Sequence, residues 1–270
     1  MIEGLDPTIA ITWALAALLF GLSLWVGLSG RVRQSAHIAF AGMAVLGAVT
    51  LYSHDVMAMP QICAALLAGS AAGLLLGRSI AKTTLPALLA GFLAQTGLAA
   101  MLLDLGLWRN PHAFGLLDDR TDGMLPDAAI AMGLGAGFGA MAFAGAMTIL
   151  WRRMRRIEQP LFASVSLALA GAFCWAFRAD GQWAWLGGCI GVGLAAGHGS
   201  AKWVLAAGMG PALAWVGGMA GWAVAANAFL LENMGLAVAG GLAGAAGSLF
   251  ALRLCVGVGR KGLADAGRHP

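Results

Sequence analysis

Polar residues along this chain come in short clusters separated by long apolar runs. Runs near the length that crosses a hydrocarbon core, about 20 residues, occupy 9–28, 57–76, 85–107, 128–151, 183–203, 211–231 and 235–256. Two shorter runs, 38–52 and 161–177, are bounded on both sides by polar residues. The pattern predicts about nine transmembrane helices in a single helical domain over 1–270, an all-α integral membrane protein. The runs are continuous and lack the apolar-out, polar-in alternation of a β-barrel strand.

Charge gives the order a direction. With loops alternating between two sides, one side receives Arg31 and Arg33, Arg78 and Lys82, Arg152, Arg153, Arg155 and Arg156, Lys202, and then Arg260, Lys261 and Arg268. The other receives Glu3, Asp6, Asp55, Asp118, Asp119, Asp122, Asp180 and Glu232, with Arg109, Arg120 and Arg178 as its cations. Cytoplasmic loops collect Lys and Arg, so the N-terminus is expected outside and the C-terminus in the cytoplasm. One helix more or fewer would invert everything after it and destroy the segregation. Trp108, Trp183 and Trp185 fall at expected outer edges and Trp151 and Trp203 at inner ones, as in an aromatic belt.

Composition agrees. The residues are 60% hydrophobic and 10% charged, against roughly 25% charged in a soluble domain. The 41 glycines would weaken soluble helices, but in a bilayer small residues let backbones approach. The basic balance sits in the cytoplasmic loops and implies attraction to anionic headgroups, not to nucleic acid. Cys63, Cys174, Cys189 and Cys255 lie in apolar runs without a C-x-x-C pair, which argues against disulfides and zinc. The first run follows Glu3 and Asp6 instead of a basic segment, so it reads as a span, not a cleaved signal.

Small-xxx-small pairs recur at Gly73/Gly77, Gly133/Gly137, Gly135/Gly139, Gly187/Gly191, Gly217/Gly221 and Gly240/Gly244, as close helix crossings require. The stretch Gly135-Ala136-Gly137-Phe138-Gly139-Ala140 brushes against a dinucleotide fingerprint, but without the strand before it that such a turn needs. Ionisable candidates lie near span ends: Asp104 close to the outer edge, His198, Lys202 and Arg253 toward the inner side. The candidate intramembrane polar contacts are Gln95 and Thr96 near the middle of the fourth run, Asn227 nearer the outer end of the eighth, and His198. Each must find a partner, since an unsatisfied polar group in hydrocarbon costs several kcal/mol; an interhelical hydrogen bond is expected for Gln95 and Asn227, with a water-filled or conducting pathway as the alternative, and a backbone carbonyl for His198, with a headgroup, a partner subunit or a proton as the alternatives. No Ser/His/Asp grouping, carboxylate pair or metal-ligand spacing sits on one span, so no catalytic, cofactor-binding or metal residue is assigned and no self-contained active site is expected.

The runs Ala16-Ala17-Leu18-Leu19-Phe20, Gly27-Leu28-Ser29 and Ala41-Gly42-Met43-Ala44, then Gly97-Leu98-Ala99-Ala100, Gly221-Trp222-Ala223 and the Gly-rich last span with Cys255 carry a likeness in order and spacing. By them the chain resembles the membrane domain of the β subunit of proton-translocating NAD(P) transhydrogenase. The resemblance covers nearly the whole sequence and implies a nine-helix bundle of the same orientation. It also implies a histidine of the proton path where Leu93 stands, a serine at Ala94, an asparagine at Gly217, an acidic residue at Met209 or Gly210, and hydroxyls around Phe143-Ala144-Gly145-Ala146. All are replaced here. Family β subunits continue into a soluble NADP-binding domain, whereas this sequence ends at Pro270.

The expectation is therefore a non-proton-conducting scaffold, anchor or assembly subunit of a larger bioenergetic or redox complex in the bacterial inner membrane. The alternative is the proton-channel part of a split transhydrogenase, with NADP- and NAD-binding subunits on separate chains. A small-molecule transporter fits less well, because no interrupted helix pair presents charged ligands. Expected partners are membrane lipids and other membrane or peripheral subunits, in a homo- or hetero-oligomer. No cofactor is expected in this chain beyond a bound lipid. The topology is checked by single-cysteine labelling from outside in a cysteine-free background: a cysteine at Gly123 should react and one at Gln159 should be protected.

Overall fold

A computed structural model describes residues 7–53, 85–117, 123–153 and 183–266, with isolated positions at 64, 67–69, 71 and 75. The described residues are helical, apart from turns and one isolated bridge between Leu117 and Met124. The runs expected at 57–76 and 161–177 fall largely or wholly outside them. The helices are α1 (Pro7–Leu28), α2 (Val32–Ser53), α3 (Leu85–Arg109), α4 (Pro126–Arg153), α5 (Trp183–Ala206), α6 (Met209–Leu230) and α7 (Met234–Ala266). Five have the length and apolarity to cross a membrane: α1, α3, α4, α6 and α7. At 24 residues α5 is long enough too, but six glycines, His198 and Lys202 dilute its apolarity. In α2 the apolar stretch narrows to His37–Val49.

The chain divides into two compact units, one of residues 1–85 with 233–239 and one of residues 86–232 with 240–270. In the first, α1 and α2 form an antiparallel hairpin. Gly30 takes φ 80° in the turn, a backbone region that side chains with a Cβ disfavour. The Ser23 hydroxyl donates to Ser35 O at 2.9 Å near that turn, and Trp13, Ala16, Leu46 and Val49 pack further along, with Leu236 against them. Asn233 caps α7 there, its Oδ1 accepting the Leu236 N–H at 3.0 Å.

The second unit is organised by α4, which packs on α3, α5 and α6. Its glycines at 133, 135, 137 and 139 are spaced by two, and at 3.6 residues per turn alternate members point to nearly opposite sides. Gly133 and Gly137 accordingly meet Trp185 and Cys189 of α5, whereas Gly135 and Gly139 meet Asp104 and Gly97 of α3. The run that resembles a dinucleotide fingerprint is thus two small-xxx-small faces back to back. Farther along, a Cβ on Gly197 would come within 2.7 Å of Met141 Cα. On the α6–α7 crossing, Gly221 and Gly244 from two of the sequence motifs face each other, and a Cβ on Gly221 would lie 2.9 Å from Gly244 Cα.

These contacts set relative directions. Gly133 lies by Cys189 and Gly145 by Ala201, so α4 and α5 run parallel. Leu93 lies by Gly217 and Asp104 by Asn227, so α3 and α6 run parallel. The α5–α6 hairpin is antiparallel, turned at Gly208 with φ 125° and pinned where Trp215 Nε1 donates to Ser200 Oγ at 3.0 Å.

Backbone contact at these crossings leaves no room for a methyl group. Gly139→Ala, whose Cβ would sit 2.8 Å from Gly97 O, should lower stability by about 1–3 kcal/mol through overpacking. Gly91→Ala, with nothing within 4 Å, should be neutral or gain up to about 1 kcal/mol in helix propensity. Thermal unfolding of both variants in the same detergent tests the contrast.

Candidate functional site

Toward one end of the second unit, Asp104 of α3 is fully buried and Asn227 of α6 nearly so, at 0% and 5% exposure. They face each other. With its amide oriented to donate, Asn227 Nδ2 lies 2.7 Å from Asp104 Oδ1 and 3.2 Å from Oδ2. The space for both side chains comes from α4: a Cβ on Gly135 would lie 2.6 Å from Asp104 Oδ2 and would also strike the Asn227 amide. Three helices therefore specify the pair, one by a carboxyl, one by an amide and one by the lack of a side chain.

Around the pair the packing is apolar. Met101, Leu105, Leu107, Met132, Leu186 and Leu230 belong to one buried cluster. Leu116 joins it from the connection after α3, where a 3-10 turn (Pro111–Phe114) and Gly115 at φ 63° bring the chain back. Leu125 N–H donates to Leu116 O at 2.9 Å to close that connection. Asp104 is five residues from the α3 terminus at Arg109, about 8 Å at 1.5 Å per residue.

A second polar station lies toward the other end of α4. The Thr148 hydroxyl donates to Ala144 O at 2.7 Å on its own helix and meets His198 Nδ1 of α5 at 2.8 Å. A threonine hydroxyl has one hydrogen; with it directed to Ala144 O, the imidazole is the donor through Nδ1–H. His198 itself is exposed. Gly135 and Thr148 are 13 residues apart on α4, about 20 Å.

Between the stations the interior is hydrocarbon. Ala90, Ala94, Ala142, Ala146, Val216 and Met219 form the middle of a buried cluster, with Leu93, Phe138, Met141 and Phe143 packed against it. Leu93 and Gly217, where the resemblance implies a histidine and an asparagine, face each other: a Cβ on Gly217 would lie 3.9 Å from Leu93 Cδ2. Both helices then place their buried polar residue about three turns farther along, at Asp104 and Asn227.

The other candidates from the sequence are placed differently. Thr96 is exposed and donates to Phe92 O at 2.9 Å on its own helix, and Gln95 is exposed beside it. Asn227 finds its interhelical partner, and that partner is a carboxyl read from sequence as a separate span-end group. His198 meets a hydroxyl, not a backbone carbonyl. Thr148 carried no signal of its own. A buried acid and a buried amide in different runs, with a glycine in a third, would have been the pattern to look for.

Helices crossing through glycine contacts, five of them able to span a bilayer, with a carboxyl–amide pair sealed between three, define an α-helical membrane protein with an intramembrane polar site. The family model described as NAD(P) transhydrogenase beta subunit matches residues 9–264, and the chain belongs to that family. Two curated sequences of NAD(P) transhydrogenase subunit beta from Rhodospirillum rubrum are each 27% identical to it over 258 residues, covering 92% of this chain and 55% of theirs. The chain thus spans about half the length of these relatives.

Removing either partner leaves the other polar group buried. Coupling energies between hydrogen-bonding side chains in membrane bundles average about 0.6 kcal/mol and reach about 1.7. The Asp104–Asn227 pair, buried and charge-capable, should fall at the upper end. A double-mutant cycle of Asp104→Leu and Asn227→Leu, read by unfolding in detergent, measures it; additive effects would mean the side chains do not interact.

Proposed function

We propose that this chain is the membrane subunit of a transhydrogenase-type assembly that anchors and organises its partners without conducting protons along the family's route. The observation that carries the reading is Leu93 against Gly217 within the apolar middle of the second unit. A relay needs groups that take up and release protons or a continuous line of water, and water in an apolar cavity has no partners. The two polar stations are separated by about 20 Å of α4, and the side chains between them are Ala, Gly, Met and Phe.

The orientation that goes with this reading has the N-terminus outside and the C-terminus in the cytoplasm of the bacterial inner membrane. Charge segregation supports it. The helix directions support the span count that goes with it: α4 and α5 run parallel, as the fifth and seventh of nine alternating spans must, and α3 and α6 run parallel, as the fourth and eighth must. The Asp104–Asn227 pair is then at the outer side and Thr148–His198 at the inner side. NADP(H) and NAD(H) sites belong, in this reading, to other parts of the assembly.

A second reading has an observation of its own. The buried Asp104 is an intramembrane ionisable residue, a class that marks ion and proton paths. By that reading the chain is the proton-path part of a transhydrogenase that works with separate NADP- and NAD-binding subunits. Proteoliposomes under an imposed potential decide between them. The wild type and Asn227→Leu should both show proton flux equal to empty liposomes. Wild-type flux above background that collapses in Asn227→Leu would sink the sealed reading in favour of the second.

A further inference from the structure

The amide of Asn227 fits Asp104 in either of two orientations. Turned with Nδ2 toward Asp104, it donates to a carboxylate at 2.7 and 3.2 Å. Turned by 180°, it puts Oδ1 at the same place, where a carboxylic acid donates its O–H to it. A carboxylate only accepts and a carboxylic acid also donates, so Oδ1 can face the acid alone, whereas Nδ2 is the half that satisfies the carboxylate. Asp104 has no such freedom in partner: among the described residues, Asn227 is the side chain whose polar atoms contact it.

We propose that Asp104 and Asn227 form a proton-binding site whose amide turns over as the carboxyl gains and loses its proton. On loading, an O–H bond forms at one Asp104 oxygen, the proton coming from water at the end of the bundle that carries Arg109 and Glu232. On unloading, that bond breaks and the proton returns to the same end. Asp104 is about 8 Å of helix from that end and Asn227 three residues from the end of α6. On the other side, Leu93 and the alanine-rich layer close the way. The site is therefore a one-sided pocket for a proton, and Gly135 makes it possible by leaving the space that both side chains fill.

Among the described residues, few other titratable groups lie on the elements around it. On α3, Arg109 is exposed at the terminus; on α4, Asp127 is exposed in the first turn and Gly135 faces the pair. On α5, Cys189 sits behind α4, against Gly133. Beyond α6, Glu232 is exposed. The polar contact placed on the carboxyl is that of the Asn227 amide. Loading consequently changes the net charge of the interior by one and reorients one amide, which places a reporter of the outer-side proton concentration at the crossing of three helices.

The site needs no conduction across the bundle, so it stands apart from the choice between sealed and conducting readings. The measurement is infrared difference spectroscopy of the whole chain in lipid, acid minus alkaline buffer, in H2O and D2O. The wild type should show a carboxylic-acid C=O band that shifts in D2O. Asp104→Asn, close in shape and able to pair amide to amide, should lose it; if that variant does not assemble, Asp104→Glu should move the band instead of removing it. Asn227→Leu should shift the band to higher frequency, because the acid loses its acceptor. A carboxyl region unchanged between the buffers, or a band indifferent to both Asp104 variants, overturns the site. A band indifferent to Asn227→Leu overturns the amide's part in it. Proteoliposome flux, high or absent, leaves these spectra unaffected and reports on the other question.

Discussion

Hydrocarbon offers no hydrogen bonds, so each helix must satisfy its own backbone and then find a reason to stay beside its neighbours. The hydrophobic effect supplies little of that reason, because lipid tails are as apolar as the side chains they would replace. What remains is close van der Waals contact, and in this chain it is made where backbone meets backbone. On α4 the glycines at 133 and 137 receive one neighbour and those at 135 and 139 another. The same device recurs where α6 meets α7 at Gly221 and Gly244. Because each contact is set by the absence of a side chain, registers at these crossings are narrow, and a single methyl group is enough to disturb them.

The polar groups follow from that packing. Asp104 and Asn227 survive in the interior because Gly135 leaves a space of their size, and because each offers the other the complementary half of a hydrogen bond. At the opposite end, Thr148 reaches His198 where α4 and α5 lie side by side. Neither station extends toward the other. The Ala-, Met- and Phe-rich layer between them contains Leu93 and Gly217, positions where relatives of this membrane domain are expected to be polar. Membership of the transhydrogenase beta subunit family and an apolar middle are thus compatible: the buried polar contact of this chain lies about three turns from Leu93 and Gly217 along two parallel helices.

The sequence by itself determined that the chain is helical and that five of its described helices are long and apolar enough to cross a membrane. Length, continuity of apolar residues and low charge suffice for that, since crossing hydrocarbon is a condition on each segment alone. Order, spacing and motif content were also enough to point to the family that the matched residues 9–264 define. Faces were not legible. Helices such as α1 and α6 are apolar all round, and a helix without a polar face carries no signal of its rotation. Gln95 and Thr96 therefore looked central by position, yet they point outward, while Asp104 and Asn227 looked peripheral and point at each other. Tertiary structure decided that pairing, because residues so far apart in sequence meet only when two helices share direction, register and rotation, and Gly135 of a third helix leaves the space they fill.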